Sequence, residues 1–231
     1  MNSSYQKWIE VVGGGAALLI AGLAFSQLES LSSDGPEGDA LRVGGIRELG
    51  ADLRWVRTYS AWHRRDFERM RVELRWVTTL NPRPLVFWLN GARMLGYDVA
   101  AWRREQVGDS AAQANINREQ WREAVAFLRL ARQHHPDSAA LWIEEAVISL
   151  RLLNAENVAL HALARAQRCR DVPAFVPRVR AELLAKQNRL REASAVLRQA
   201  LMDTGPRERE IAAVLRVRLA EIEDQLKRDG I

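Results

Sequence analysis

The side chains in this sequence best suited to chemistry are its histidines, its one cysteine and a few paired acids. His134 and His135 are adjacent. Neighbours on a helix point about 100° apart, and no further His or Cys follows at ligand spacing, so the pair does not read as a metal site. It reads as a helix end, where imidazole complements the C-terminal dipole. His63 and His161 stand alone. A single cysteine, Cys169, rules out an internal disulfide and a cysteine-based structural zinc site, and no partner base lies near it in sequence. Glu144-Glu145 and Glu208/Glu210 read as solvated helix faces. No glycine-rich phosphate loop, H-E-x-x-H or G-x-S-x-G elbow occurs. The expectation is a protein that is not an enzyme, with no cofactor, no metal and no small-molecule substrate.

Charge points toward binding. The formal net charge is +5, and only three of the 34 basic residues are lysines. Arginine grips carboxylate and phosphate bidentately, which lysine does not. Between Arg42 and Arg104 thirteen arginines face six acids, an excess larger than that of the whole chain. That basic region suits an acidic partner, anionic lipid headgroups or nucleic acid. Its arginines at 54, 57, 64, 65, 69, 71 and 75 spread round two helices instead of forming one stripe, which disfavours nucleic acid.

The elements that position these residues centre on Ala51–Pro82. Apolar residues fall at helical spacing in two blocks, Leu53–Trp62 and Phe67–Leu80, around a polar corner at Arg64-Arg65-Asp66. Two amphipathic helices of this length cannot bury their own apolar faces, so they must stack on further copies. Copies follow. A second unit runs from Leu85 to Pro136, a third from Ala139 to Pro173, and a fourth from Ala174 to about Asp203. Trp88 and Trp142 recur early in the first helix, with Ala92, Ala146 and Ala181 at mid-helix. Asn188-Arg189-Leu190 matches the corner Arg65-Asp66-Phe67; Ala124, Ala131, Ala193 and Ala200 punctuate the second helices; Pro82, Pro136 and Pro173 close the units. Small residues let paired helices approach, and proline cannot continue a helix.

In this pattern, with its period of about 34 residues, the chain resembles tetratricopeptide repeat (TPR) proteins. It departs from them at Thr58, Met70 and Val77, which fill positions where small residues are usual, and in an insertion at about Arg104–Arg118. As an insertion between paired helices, that stretch is expected to be removable without loss of the fold. The resemblance implies a concave groove lined by the first helix of each pair. Carried over residue by residue, it places Trp55, Tyr59, Trp62 and His63 there, with Leu89, Asn90, Arg93 and Tyr97 from the second unit. Ile143, Glu144 and Val147 follow from the third, and Phe175, Arg178 and Glu182 from the fourth. Aromatic residues and arginine are what binding hot spots favour, though Trp55 and Trp62 read equally well as core residues. Some relatives clamp a terminal carboxylate with basic groups; Ala140 and Glu144 occupy those positions here, so no such clamp is expected.

Before the repeats, Val11–Phe25 is uninterrupted apolar or small sequence. As a helix it measures about 22 Å, and Trp8, Ile9 and Leu28 extend it toward a ~30 Å hydrocarbon core. Residues 1–28 are read as a transmembrane signal-anchor. The alternative is a signal peptide cleaved near Gly22-Leu23-Ala24, giving a secreted body. Lys7 precedes the apolar run and no Lys or Arg occurs between Phe25 and Arg42, which favours a cytoplasmic N-terminus and an exported, periplasmic body. Gly13, Ala17 and Ala21 recur on one face, where small residues permit packing against a second membrane helix. Residues 29–50 are expected to be a linker and lead-in segment, with Gly44-Gly45 as a break, and residues 205–231 a C-terminal capping helix.

The expectation is thus all-α: about four TPR-like helix pairs over residues 51–204, forming a right-handed superhelix, plus the cap and one membrane helix. Its expected partners are proteins, and the anchor would allow them to belong to a membrane complex. The alternative is a polyanion binder, of nucleic acid or anionic lipid, using Arg42–Arg104.

Overall fold

The computed structural model describes residues 36–203 and 209–228. Packing divides the chain into two units, Met1–Leu53 and Arg54–Ile231. Helix α1, Pro36–His63, runs across that boundary. It is continuous through Gly44-Gly45, so the expected break is absent. Glycine costs about 1 kcal/mol per helix position relative to alanine. Good helix formers on both sides (Leu41, Arg42, Arg47, Glu48, Leu49) and a proline at the first position offset that cost. Residues 36–50, part of the expected lead-in, are therefore helical. Residues 1–35, including Gly13, Ala17, Ala21 and the proposed membrane segment, lie outside the described residues. Among the described residues no helix is long and apolar enough to cross a membrane.

Within the second unit every described element is a helix or turn. The end of α1 is followed by α2 (Phe67–Leu80), and Arg54 on α1 reaches Glu73 on α2 at 3.0 Å. The next helix is α3 (Leu85–Arg93), which passes through a π-helical turn at Met94–Asp98 into α4 (Val99–Arg104) and packs along α5 (Ser110–His134). Then α6 (Ala139–Leu153) packs on α7 (Glu156–Ala166), and α8 (Val176–Lys186) on α9 (Leu190–Asp203). Finally α10 (Arg209–Arg228) lies along α9, burying Ala212, Leu215 and Ile222. Successive pairs also touch, through α5 with α6 and α7 with α8.

Local chemistry sets these ends. Asp66 caps α2 by accepting from the Arg69 amide at 3.1 Å, and Asp109 caps α5 by accepting from the Ala112 amide at 2.7 Å. Three corners turn through a left-handed residue: Arg65 (φ 56°), Asn154 (φ 49°) and Asn188 (φ 59°). Asparagine tolerates that region better than most side chains, so Arg65 is the costlier of these choices. The Pro82 carbonyl accepts from Trp88 Nε1 at 2.8 Å and His135 Nε2 at 3.0 Å, so one closing proline ties two units together.

The insertion is not a loop. Arg104 ends α4, and residues 110–118 form the first turns of α5, lengthening both helices of the second pair. Ile116 is buried in the core, and Arg104 Nη1 donates to Asn117 Oδ1 across the bend. Excising a segment that places an apolar residue in the core is expected to cost stability, where the sequence pattern alone implied none. The core itself runs from Ala61, Met70 and Leu74 through Trp88, Phe127 and Leu128 to Leu141 and Ile148. A further cluster around Leu184, Leu190 and Leu197 is closed by Leu215 and Ile222 of α10.

Candidate partner-binding face

Trp55, Tyr59, Trp62 and His63 follow one another at helical spacing near the end of α1, which puts them on adjoining rows. The structure separates them into different environments. Trp55 turns inward, its ring centroid 5.1 Å from the buried Phe87. Tyr59 stacks on Trp62 at 5.3 Å, and His63 meets both edge-on at 4.7 and 4.9 Å. Tyr59 is 49% exposed and His63 is exposed, whereas Trp62 is half-buried. Trp62 is thus neither a pure core residue nor a free surface residue. It is the support on which the exposed pair rests.

Trp62 is held from the neighbouring unit. Its Nε1 donates to Asp98 Oδ2 at 2.7 Å, and its ring lies 6.0 Å from Trp102. Trp102 in turn stacks on Phe67 at 5.5 Å with 10° between the planes, and the Arg65 guanidinium sits 5.6 Å from its centroid. An indole N–H bonded to a carboxylate loses its rotational freedom, which preorganises the aromatic surface beside it.

A second cluster lies on the helix containing Asp98. Arg93 donates from Nε and Nη2 to Glu144 Oε2 at 2.9 and 2.7 Å, and Tyr97 Oη donates to Glu144 Oε1 at 3.2 Å. The Glu144 hydrogen bonds raise the Arg93 pKa above its ordinary value. Burial, followed by the Glu144 charge, pushes the Tyr97 phenol up. The Arg151 guanidinium stands 5.1 Å from the Tyr97 ring centroid. Adjacent residues of the π turn at Met94–Asp98 serve the two clusters: Tyr97 bonds Glu144 and Asp98 bonds Trp62. Wide turns of this kind recur at functional positions in helices.

The remaining candidates divide. Asn90 is half-buried on α3. Arg178 pairs with Glu182 at 2.7 Å, and with the exposed Phe175 it borders a hollow walled by Ile211 and Val214 of α10, separate from the Trp62 cluster. The exposed His134 stacks on Trp88 at 5.8 Å, and His135 bonds the Pro82 carbonyl. Cys169 has its thiol pKa raised, first by burial and then by Asp171 and Asp137.

Sequence reasoning missed Asp98, Trp102, Arg151 and the structural part played by Glu144. Asp98 carried a faint signal, as an acid between apolar stretches one turn before Trp102. The basic region is also changed by its folding. Arg54 pairs with Glu73, Arg65 with Glu105, Arg71 with Glu68 and Glu123, and Arg103 with Glu119.

No protein-family model matches the chain, and no curated protein matches it in sequence. Among solved structures it is similar to a thermophilic TPR protein of Thermus thermophilus, at 20% identity and a TM-score of 0.43, over 93% of this chain and 94% of that one. It is also similar to yeast Tom70, at 11% identity and a TM-score of 0.37, over 91% of this chain and 46% of that one.

Proposed function

We propose that this protein is a scaffold that binds a partner protein non-covalently, using the first helices of a TPR-like right-handed stack, and is tethered to a membrane by residues 1–28. The observation that carries the binding reading is the Tyr59–His63 surface, mounted on a Trp62 ring that Asp98 holds from the next unit. Exposed aromatics on a rigid support give contact area at low entropic cost, which is the character of a binding hot spot. Four helix pairs in series, with recurring small residues and closing prolines at repeat spacing, support the TPR-like reading.

Internal pairing of Arg54, Arg65, Arg71, Arg93 and Arg103 supports a protein partner over a polyanion, since these guanidiniums already face carboxylates. A groove contact also depends less steeply on salt than polyanion binding does, so salt titration separates the readings.

The membrane reading rests on Val11–Phe25 and on the charge asymmetry around it. Carbonate washing of membranes tests it: the full-length protein should remain in the pellet. Recovery in the soluble fraction of a chain beginning after Ala24 would favour the secreted alternative. The binding reading is tested by crosslinked pull-down from native membranes, comparing wild type with Tyr59→Ala/His63→Ala. These exposed positions spare the packing that alanines at Trp55 or Trp62 would disturb. Specific partners should be lost, and an unchanged set would sink the groove reading.

A further inference from the structure

Two hollows among the helix pairs each lie beside a closing proline. The first, of about 480 Å³, lies by Pro82 between α2 and α5. Arg71 in its wall donates from Nε and Nη2 to the two oxygens of Glu123 at 2.5 and 2.9 Å, so that partly buried charge is met within the chain, while Arg75 stands exposed on the same wall. The second, of about 630 Å³, lies by Pro173, with walls from the end of α7, the start of α8, and α9 and α10. Arg180 and Arg168 line it.

Arg180 Nη1 donates to a neutral amide, Gln167 Oε1, at 2.6 Å. Its Nε is shielded from solvent and has no hydrogen-bond partner, and Arg180 forms no ion pair among the described residues. Burial holds its pKa below the ordinary value; Glu192 opposes that effect, and Arg189 and Arg168 add to it. The pKa of Arg71 is displaced the other way, by its hydrogen bond to Glu123. Arg168, exposed on the same wall, adds a second positive charge. The acid in the wall, Asp203, accepts from Gln199 Nε2 at 2.9 Å. Ile211 and Leu215 supply the apolar remainder.

A half-buried guanidinium without an ion pair among the described residues, beside a second cation in a half-apolar hollow, is the complement of a carboxylate on an aliphatic stem. We propose that the hollow between α7 and α10 is a carboxylate-binding site, in which Arg180 and Arg168 hold an acidic side chain or chain terminus of a partner polypeptide. The site commits this face to an acidic peptide and uses none of the residues of the Tyr59–Trp62–His63 surface. Its success or failure is therefore read separately from that surface.

The test uses the full-length protein in detergent with three fluorescein-labelled peptides: Ala-Leu-Val-Asp-Glu with a free C-terminus, the same peptide as its C-terminal amide, and the neutral amide Ala-Leu-Val-Asn-Gln. Anisotropy should show binding of at least one acidic peptide and none of the neutral one. Equal binding of the acidic amide assigns the contact to a side chain, and loss on amidation assigns it to the terminus. Arg180→Met should weaken the acidic peptide about tenfold or more, the loss expected for a charge-assisted hydrogen bond. It should leave the melting temperature unchanged or raised, because an uncompensated buried charge has been removed. Arg168→Gln, at an exposed position, should weaken binding with no change in melting. The proposal is overturned if acidic and neutral peptides bind alike, if a single-stranded oligonucleotide binds more tightly than the acidic peptides, or if Arg180→Met lowers the melting temperature while binding is unchanged.

Discussion

Glu144 anchors Arg93 across successive helix pairs, its Oε2 accepting from Nε at 2.9 Å and Nη2 at 2.7 Å. The two ends of the bridge differ in solvent exposure, with side-chain exposures of 50% for Arg93 and 8% for Glu144. Removing the arginine strands a nearly buried carboxylate with only the Tyr97 hydroxyl to satisfy it. Removing the glutamate leaves a guanidinium that water can solvate. Arg93→Ala is therefore expected to cost about 1.5–3 kcal/mol and Glu144→Gln less. Urea denaturation of both single variants and the double variant should give a coupling of roughly 1 kcal/mol or more. Additive effects would mean that the bridge does not join the pairs.

The same carboxylate governs a titration. Burial and Glu144 raise the Tyr97 phenol above its ordinary value, so the folded protein keeps that proton after the unfolded chain has lost it. The stabilisation is complete below the unfolded pKa of about 10 and is lost as pH rises from there through the folded value. Absorbance titration should show one tyrosine ionising last, and Tyr97→Phe should remove that step. A Tyr97→Phe titration identical to wild type in its late phase would contradict the assignment.

Close packing within and between pairs makes Gly91 a sensitive position. A Cβ there would lie 2.7 Å from Phe127 Cε1 and 3.1 Å from Leu74 Cδ2, both on neighbouring helices. Gly91→Ala is expected to destabilise by about 1–3 kcal/mol through overpacking, although alanine is the better helix former. A rise in denaturation midpoint would show that the ring yields without cost.

The lengthened second pair makes a further demand. Ile116 is 7% exposed and packed in the core, so Ile116→Ala should cost about 2–5 kcal/mol. Deleting residues 105–118 should lower helical signal and cooperativity by circular dichroism. Retention of a wild-type melt would restore the view of this stretch as a dispensable insertion.

Most of the fold was written in local signals. Pro82, Pro136 and Pro173 mark unit ends because proline cannot extend a helix, and the apolar spacing of Phe67–Leu80 matches α2 residue for residue. Gly44-Gly45 misled because glycine's cost is small enough for the surrounding helix formers to outweigh. Residues 110–118 read as part of an insertion between paired helices because helical continuation has no mark of its own until Ile116 finds the core. The site was less legible. The TPR resemblance pointed to Trp55, Tyr59, Trp62 and His63, but the Trp62–Asp98 bond spans separate repeat units, and Asp98 ends a π turn that no residue pattern in Met94–Asp98 announces. Arg93 and Tyr97 read as groove groups in isolation, and only tertiary packing reveals that Glu144 already occupies them.

The central claim is that a protein partner docks on the first-helix face beside Tyr59. Photo-crosslinking tests it most directly, with p-benzoylphenylalanine placed at Tyr59 in one strain and at Val217, an exposed position on α10, in another. A discrete crosslinked species from residue 59, absent from 217 and lost when His63→Ala is added, is the predicted result. Adducts of equal yield at both positions, or none at 59 in membranes where the protein is full-length, would contradict it.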